Sequence, residues 1–378
     1  IKETLSLYPV SDPFGTMTGE SKHPASGSNI QAVIMAYDDG ARLYPLTQDT
    51  PAVLLPVLNK PLLHYQLELL EKATYTDALV VCSRVTEAPV AKFLEAYQAG
   101  VAVEQVVVDS SQDTAQVLRQ IREHIRGDFL LLPGNLVCEE VLGDLAKVHS
   151  RNKSDITMVL KEEAPVKDTK GRKIVRPKRD EEDIDYVGLT KEGRLVIKLP
   201  ALYVGEVLRV QKALLRQSEA LTISTSLQDV NVALLAHRVL DFLEERRDIA
   251  SVQNELIPAL VRRQFHGSGG SGIGGTGGST LGEGEKTPGP EPGEEDGTPS
   301  AGSSGGTNTG EQVRCFALTL RHEDAYCCQA KTLPAFHTMN RELLTGTFDS
   351  PKCPWSMPEG FRKKDASLVV STCSLGTK

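Results

Sequence analysis

No run of 18 or more apolar residues occurs in the 378-residue sequence, and residues 1–28 are polar and rich in proline and glycine. Neither a membrane-spanning helix nor a secretory signal is therefore visible. An excess of basic residues is missing as well: 42 Lys and Arg stand against 50 Asp and Glu, a formal net charge of -8. A general nucleic-acid binder needs the opposite balance on at least one face, so direct nucleic-acid binding is not expected. The seven cysteines, Cys82, Cys138, Cys315, Cys327, Cys328, Cys353 and Cys373, are scattered and show no Cys-x-x-Cys spacing. They read as free thiols in a reducing compartment, which points to the cytosol. The adjacent Cys327 and Cys328 cannot form an ordinary zinc pair and are assigned no function. No convincing internal repeat is present. The first residue is Ile1 rather than methionine, which suggests a sequence cut short at that end.

Apolar residues are scarce in one place only. Residues 267–310 hold 17 of the 32 glycines and only Ile273, Leu281 and Ala301 as apolar members. Ordering glycine-rich backbone costs more entropy than so little burial can offset, so this stretch is expected to be a disordered insertion. The remainder is correspondingly richer in core-forming residues.

What is there is a regular alternation. Short apolar runs at 32–36, 77–82, 101–108, 129–132 and 155–160 read as strands, several of them apolar on both faces. Between them, helical spacing appears at 61–72, 88–99, 114–125 and 139–149. Strands of that kind alternating with helices predict a doubly wound α/β fold around a mostly parallel sheet. The mixed charges of residues 161–186 predict a solvated, mobile insertion. Helices are expected again at 229–246, with Asp229 as N-cap, and at 251–264, with Ser251 as N-cap. After the glycine-rich stretch, 312–320 has strand character and 332–344 helical character. A strand placed there can return to the same sheet. His64 and His149 fall on helices without an acidic or cysteine partner at ligand spacing and read as surface or packing residues.

In such a sheet ligands bind beyond the carboxyl ends of the strands, which directs attention to the loop after the first one. It reads AYDDGARLYPLT over 36–47 and is followed by PAVLLPVLNKPL over 51–62. This resembles the opening signature of the nucleotidyltransferases that activate sugar phosphates with nucleoside triphosphates, G-G-x-G-x-R, L-x-P-L-T and P-K-x-L-L-P-V-x-N-K-P-L. The resemblance implies that family's fold. It also identifies Gly40, Arg42 and Thr114 as vestigial nucleotide-binding positions.

The departures are chemical. Tyr37 and Asp38, with Asp39 beside them, stand where the family has glycines whose N–H groups approach a triphosphate. One carboxylate about 4 Å from a phosphate charge opposes binding by about 4 kcal/mol at an effective dielectric near 20. Ala52 replaces the family's phosphate-stabilising lysine, and Asp113 replaces the glycine of its base-contacting turn. The fourth strand ends in Gly134-Asn135 where the family's Gly-Asp holds magnesium, and a neutral amide is a weak ligand for a hard dication. No catalytic residue, metal or cofactor is therefore expected. Arg42 is read first as a local partner of Asp38 or Asp39, and Lys60 as a support for the start of the following helix.

Two further segments, SVQNELIPALVRRQF over 251–265 and QVRCF over 312–316, resemble the gamma-type subunits of eukaryotic initiation factor 2B. That resemblance implies a non-catalytic regulatory subunit of the guanine nucleotide exchange factor acting on initiation factor 2. It implies as partners an epsilon subunit and the other subunits of that complex, in the cytosol and off the membrane. The alternative is an active sugar-phosphate nucleotidyltransferase resembling a mannose-1-phosphate guanylyltransferase. The expected organisation is a disordered or fragmentary stretch over 1–29 and a nucleotidyltransferase-like domain over 30–265. The insertion at 266–311, a return segment at 312–350 and a linker at 351–378 complete it. At most the first turn of a left-handed β-helix is expected in that linker, at 366–376.

Overall fold

The computed structural model describes residues 30–37, 40–97, 100–109, 112–139, 141–163, 184–204, 208, 210, 220–265, 312–321, 324–345, 361–364 and 367–370. The expectations for 1–29 and 266–311 lie outside the described residues. The chain divides into a unit made of Ile1–Phe265 with Val313–Lys378 and a second unit, His266–Gln312.

Strand β1 (Gln31–Met35) is buried along its whole length. Single 3₁₀ turns at Ala41–Leu43 and Ala52–Leu54 and the two-residue strands β2 (Pro56–Val57) and β3 (Lys60–Pro61) lead into helix α1 (Leu62–Lys72). The alternation continues with β4 (Asp77–Ser83), α2 (Glu87–Ala96), β5 (Ala102–Val108), α3 (Thr114–Gln120) and β6 (Phe129–Pro133). Next come β7 (Leu136–Cys138), α4 (Leu142–Asn152), β8 (Ile156–Glu162), β9 (Asp185–Thr190), β10 (Leu195–Pro200), β11 (Leu221–Ser224) and β12 (Leu227–Leu235). Helices α5 (Arg238–Glu245) and α6 (Ile257–Arg263) precede the second unit. After it come β13 (Cys315–Leu320), β14 (Cys327–Gln329), α7 (Leu333–Thr345), β15 (Phe361–Lys364) and β16 (Ser367–Val370).

Seven strands form the central sheet in the order β13-β8-β12-β6-β1-β4-β5. Only β12 runs antiparallel to its neighbours, so the expected doubly wound, mostly parallel α/β fold is what forms. The strand period of two explains why both faces must be covered. Val33, Leu79 and Leu131 point to one side, where Val117, Leu118 and Ile121 of the α3 region meet Leu240 and Leu243 of α5. Ala32, Ile34, Val80 and Leu130 point to the other, onto Leu63, Leu67 and Leu70 of α1 and Leu142 and Leu145 of α4. β5 and β6 lie on opposite sides of the β1–β4 pair, which sets the carboxyl ends of β1 and β6 beside each other. There Gly134 N donates to Met35 O at 2.9 Å. A Cβ on Gly134 would stand 2.6 Å from that same oxygen, so only glycine permits the approach.

The chain re-enters this sheet after the second unit, because β13 pairs in parallel with β8 from Cys315 opposite Ile156 to Leu320 opposite Lys161. Asp155, almost fully buried, fixes the register: its Oδ2 accepts from Arg314 N at 2.8 Å, and it is also ion-paired with Arg238. A smaller antiparallel sheet, β10-β9-β11, packs against the main one, with Val187 and Leu195 in the core that holds Leu131 and Met158.

Two expectations are corrected. The helix expected over 229–246 is a strand, β12, followed by a helix that begins only at Arg238, so Asp229 is not an N-cap. Residues 161–186 are not one solvated insertion: Lys161 continues β8 and Asp185 opens β9, while 164–183 lie outside the described residues. At the C-terminal end β15 and β16 pair antiparallel, Phe361 opposite Val370, over the start of the stretch where a first β-helix turn is expected. Ala366 and residues 371–376 of that expected turn lie outside the described residues.

Candidate functional site

A cavity of about 750 Å³ opens at the carboxyl ends of β1 and β6. Of the residues singled out in the sequence, Tyr37, Gly40, Arg42, Ala52, Thr114 and Asn135 line it. Asp113 does not: it is exposed at the start of α3, where its carbonyl accepts from Val117 N at 3.0 Å. Asp38, with Asp39, lies outside the described residues.

The loop that would cradle a triphosphate is packed down. Gly40 is buried and adopts the left-handed φ of 66°. Thr47 Oγ1 donates to Gly40 O at 3.0 Å, and a Cβ on Gly40 would lie 2.8 Å from the Ala52 Cβ and 2.7 Å from Thr47 Cγ2. Ala52 itself is 4% exposed. The methyl group of Ala52 packs against Gly40 and carries no ammonium to meet a phosphate. At the neighbouring wall, Ala115 N donates to Ala250 O at 2.8 Å and Thr114 Oγ1 accepts from Val252 N at 2.8 Å. The 250–252 segment thereby takes up the hydrogen-bonding groups of the turn that a base would contact.

The floor of the cavity holds a cluster that sequence reading missed. Lys198 of β10, its side chain 1% exposed, lies with Nζ 3.1 Å from Asp185 Oδ2 of β9 and 3.2 Å from Asp229 Oδ2 of β12. Asp229 is held in place by a bulge in β12. Asn231 takes φ 55°, and its N–H donates to Asp229 Oδ1 at 2.7 Å. Burial by itself would make Lys198 less basic, but the charges of Asp229 and Asp185 outweigh it and raise its pKa. A signal existed in the sequence: a lysine inside the otherwise apolar run LVIKLP and an aspartate inside LQDVNVALL.

These residues do not fit a divalent cation. Asn135 is neutral; its main-chain oxygen accepts from Ala330 N at 2.9 Å, and its side-chain Oδ1 is buried without a partner. The two carboxylates of the cavity share Lys198, so a cation there would displace, or sit against, a buried ammonium. Among the described residues no three His, Cys, Asp or Glu side chains converge as a metal site.

The histidines fall elsewhere. His64 does have an acidic partner, contrary to the sequence reading: its Nε2 is 3.5 Å from Glu68 Oε2, four residues on in α1. Burial would raise the Glu68 pKa, yet hydrogen bonds from His64 and Lys72 and the nearby Lys60 bring it down to about 2. Lys60, 3.7 Å from Glu68, is thus tied to the helix it precedes. His149 is buried, with Nδ1 3.0 Å from Thr157 Oγ1, and burial lowers its pKa.

Residues 31–171 match the sequence profile of the family described as nucleotidyl transferase. Over most of its length the chain is similar to the translation initiation factor eIF2B subunit gamma of Dictyostelium discoideum, 27% identical over 93% of this chain and 84% of that protein. The Schizosaccharomyces pombe subunit of the same name is 31% identical over 63% of this chain, which spans about half, 52%, of that relative. The epsilon subunit of the same yeast is 28% identical over 38% of this chain and 23% of its own length. Among solved structures, the inositol-1-phosphate CTP transferase of T. maritima superposes with a TM-score of 0.51 at 13% identity, covering 83% of this chain and 96% of that one. A Bacillus anthracis protein described as a glucose-1-phosphate thymidylyltransferase gives 0.53 at 15% identity, covering 82% and 94%. Those two likenesses concern the fold alone. The resemblance read from the first loop and from residues 251–265 agrees with the sequence matches.

Proposed function

We propose that this chain, a nucleotidyltransferase-fold homologue of the eIF2B gamma subunits, is a non-catalytic regulatory subunit of the guanine nucleotide exchange factor for initiation factor 2. Its partners are an epsilon-type subunit, the remaining subunits of that complex and initiation factor 2, in the cytosol. The observation that carries the non-catalytic part is the cavity floor, where Lys198 neutralises Asp185 and Asp229 and Asn135 offers only an amide. The packed Gly40–Ala52 loop and the occupied turn at Thr114 and Ala115 support the same reading. The similarity to gamma subunits over 93% of the chain supports the assembly part. Among the described residues no helix is long and apolar enough to cross a membrane.

A fold that has lost its phosphate loop keeps a large rigid surface on which a partner can dock, and a partner of like fold can use the equivalent surface in pseudo-symmetry. The domain organisation that goes with this is one nucleotidyltransferase-like domain over 30–265, interrupted at 266–311 and completed by 312–350. In the test, purified chain is mixed with each nucleoside triphosphate, a sugar 1-phosphate and Mg²⁺, and pyrophosphate release is followed. No release above the protein-free rate is expected. Turnover abolished by Arg42→Ala would instead establish a sugar-phosphate nucleotidyltransferase.

A further inference from the structure

Cys138, the last residue of β7, stands directly opposite Cys327, the first of β14, in an antiparallel pair that forms its own two-stranded sheet. Ala330 N donates to Asn135 O at 2.9 Å and Glu139 N donates to Tyr326 O at 2.7 Å. Hydrogen-bonded pairs therefore fall at 135 with 330 and at 139 with 326, and the antiparallel alternation makes Cys138 and Cys327 a non-hydrogen-bonded pair. In such pairs the Cα atoms approach to about 4.5 Å, with side chains on the same face. That separation lies inside the window of about 4.4–6.8 Å that a disulfide spans. Both thiols are reduced, buried and part of one core cluster. The register sets the two thiols side by side, and the Cys327 thiol, ahead of burial, raises the pKa of Cys138. Cys328 points to the opposite face, into a different cluster, as the strand period requires.

We propose that Cys138 and Cys327 are an oxidisable pair whose disulfide ties the chain segment returning after residue 312 to the strand that precedes α4. This inference does not depend on the functional reading above. The oxidant is a low-molecular-weight disulfide. One cysteine, as thiolate, attacks it, forms a mixed disulfide and releases one small thiol. The other cysteine then attacks the mixed disulfide, closes the protein bond and releases the second small thiol. Two electrons pass from the cysteine sulfurs to the reagent, and the two thiol protons end on the released small thiols or in solvent. In the closed structure the neighbouring Cys327 thiol and burial keep Cys138 protonated, and burial keeps it out of reach, so exchange waits for the three-residue strand β14 to lift.

The experiment uses the folded full chain, incubated with oxidised glutathione at neutral pH, blocked with iodoacetamide, digested with trypsin and weighed by mass spectrometry. The expected product joins the peptide 127–147 to the peptide 322–331, two hydrogens lighter than the reduced pair together. It persists in Cys328→Ser, disappears in Cys138→Ser, and the linked protein melts at a higher temperature until a phosphine reductant is added. Glutathione adducts alone, or a link that disappears in Cys328→Ser, from protein whose far-ultraviolet circular dichroism is unchanged, would overturn the proposal. The Cys328→Ser result stands even if a variant at Cys138 fails to fold.

Discussion

Replacing Lys198 with methionine keeps the stem that fills the cavity floor and deletes the charge between two aspartates. At 3.1 and 3.2 Å, each attraction is about 5 kcal/mol at an effective dielectric near 20. Desolvation of a side chain only 1% exposed offsets much of that, so the net worth of the intact cluster is small. Removing one partner is a different matter, because Asp229, 8% exposed, and Asp185 would then repel each other with no counter-ion. The expected loss is about 3–5 kcal/mol, a large share of an ordinary domain's stability. Urea unfolding followed by circular dichroism at pH 7 measures it. Adding Asp185→Asn and Asp229→Asn to Lys198→Met should recover most of the loss. The pH dependence gives a second check. The raised pKa of Lys198 means that its contribution is fully present below the unfolded lysine value of about 10.4 and is lost as pH rises through the folded value. The gap between wild type and Lys198→Met should therefore narrow in strong base. A loss below about 1 kcal/mol at pH 7, or no recovery in the triple variant, would refute the reasoning.

Other perturbations follow from the same geometry. Gly40→Ala meets both the left-handed φ of 66° and the Ala52 and Thr47 methyl groups, and should cost about 2 kcal/mol by urea unfolding. Ala52→Lys should also destabilise, because position 52 is buried against Gly40, and it should restore no pyrophosphate release. Asp155→Ala removes the acceptor for Arg314 N and the partner of Arg238; it should cost about 3 kcal/mol and increase amide hydrogen exchange in 315–320 first. Burial lowers the His149 pKa, so the unfolded chain takes up the proton first. Stability from this residue is present above the unfolded value of about 6.5 and declines as pH falls through the folded value, a dependence His149→Gln should remove.

The sheet was legible because its strands are apolar on both faces and separated by helical spacing, as in residues 31–35, 77–83 and 129–133. Element boundaries were legible only where the period changed visibly. In 227–246 the strand residues Leu234 and Leu235 and the helix residues Val239, Leu240 and Leu243 also fit one continuous helical stripe, so the strand was lost in the helix. The loop half of the cavity, Gly40, Arg42, Ala52, Thr114 and Asn135, could be read because it departs from a known local pattern. The floor could not. Lys198, Asp185 and Asp229 come from three strands brought together by tertiary pairing, and their charges neutralise one another only in space. Asp155 was missed for a similar reason: its partners Arg238 and Arg314 are 83 and 159 residues away. The pairing of His64 with Glu68 is local, four residues along one helix, and could have been read from the spacing alone.

The proposed function has this fold act by assembly rather than by nucleotidyl transfer. Co-expression with an epsilon-type subunit of the same source, followed by size-exclusion chromatography with light scattering, tests it most directly. A single co-eluting species with the mass of a heteromer is expected, whereas separate elution of the two chains at micromolar concentration would contradict the proposed role.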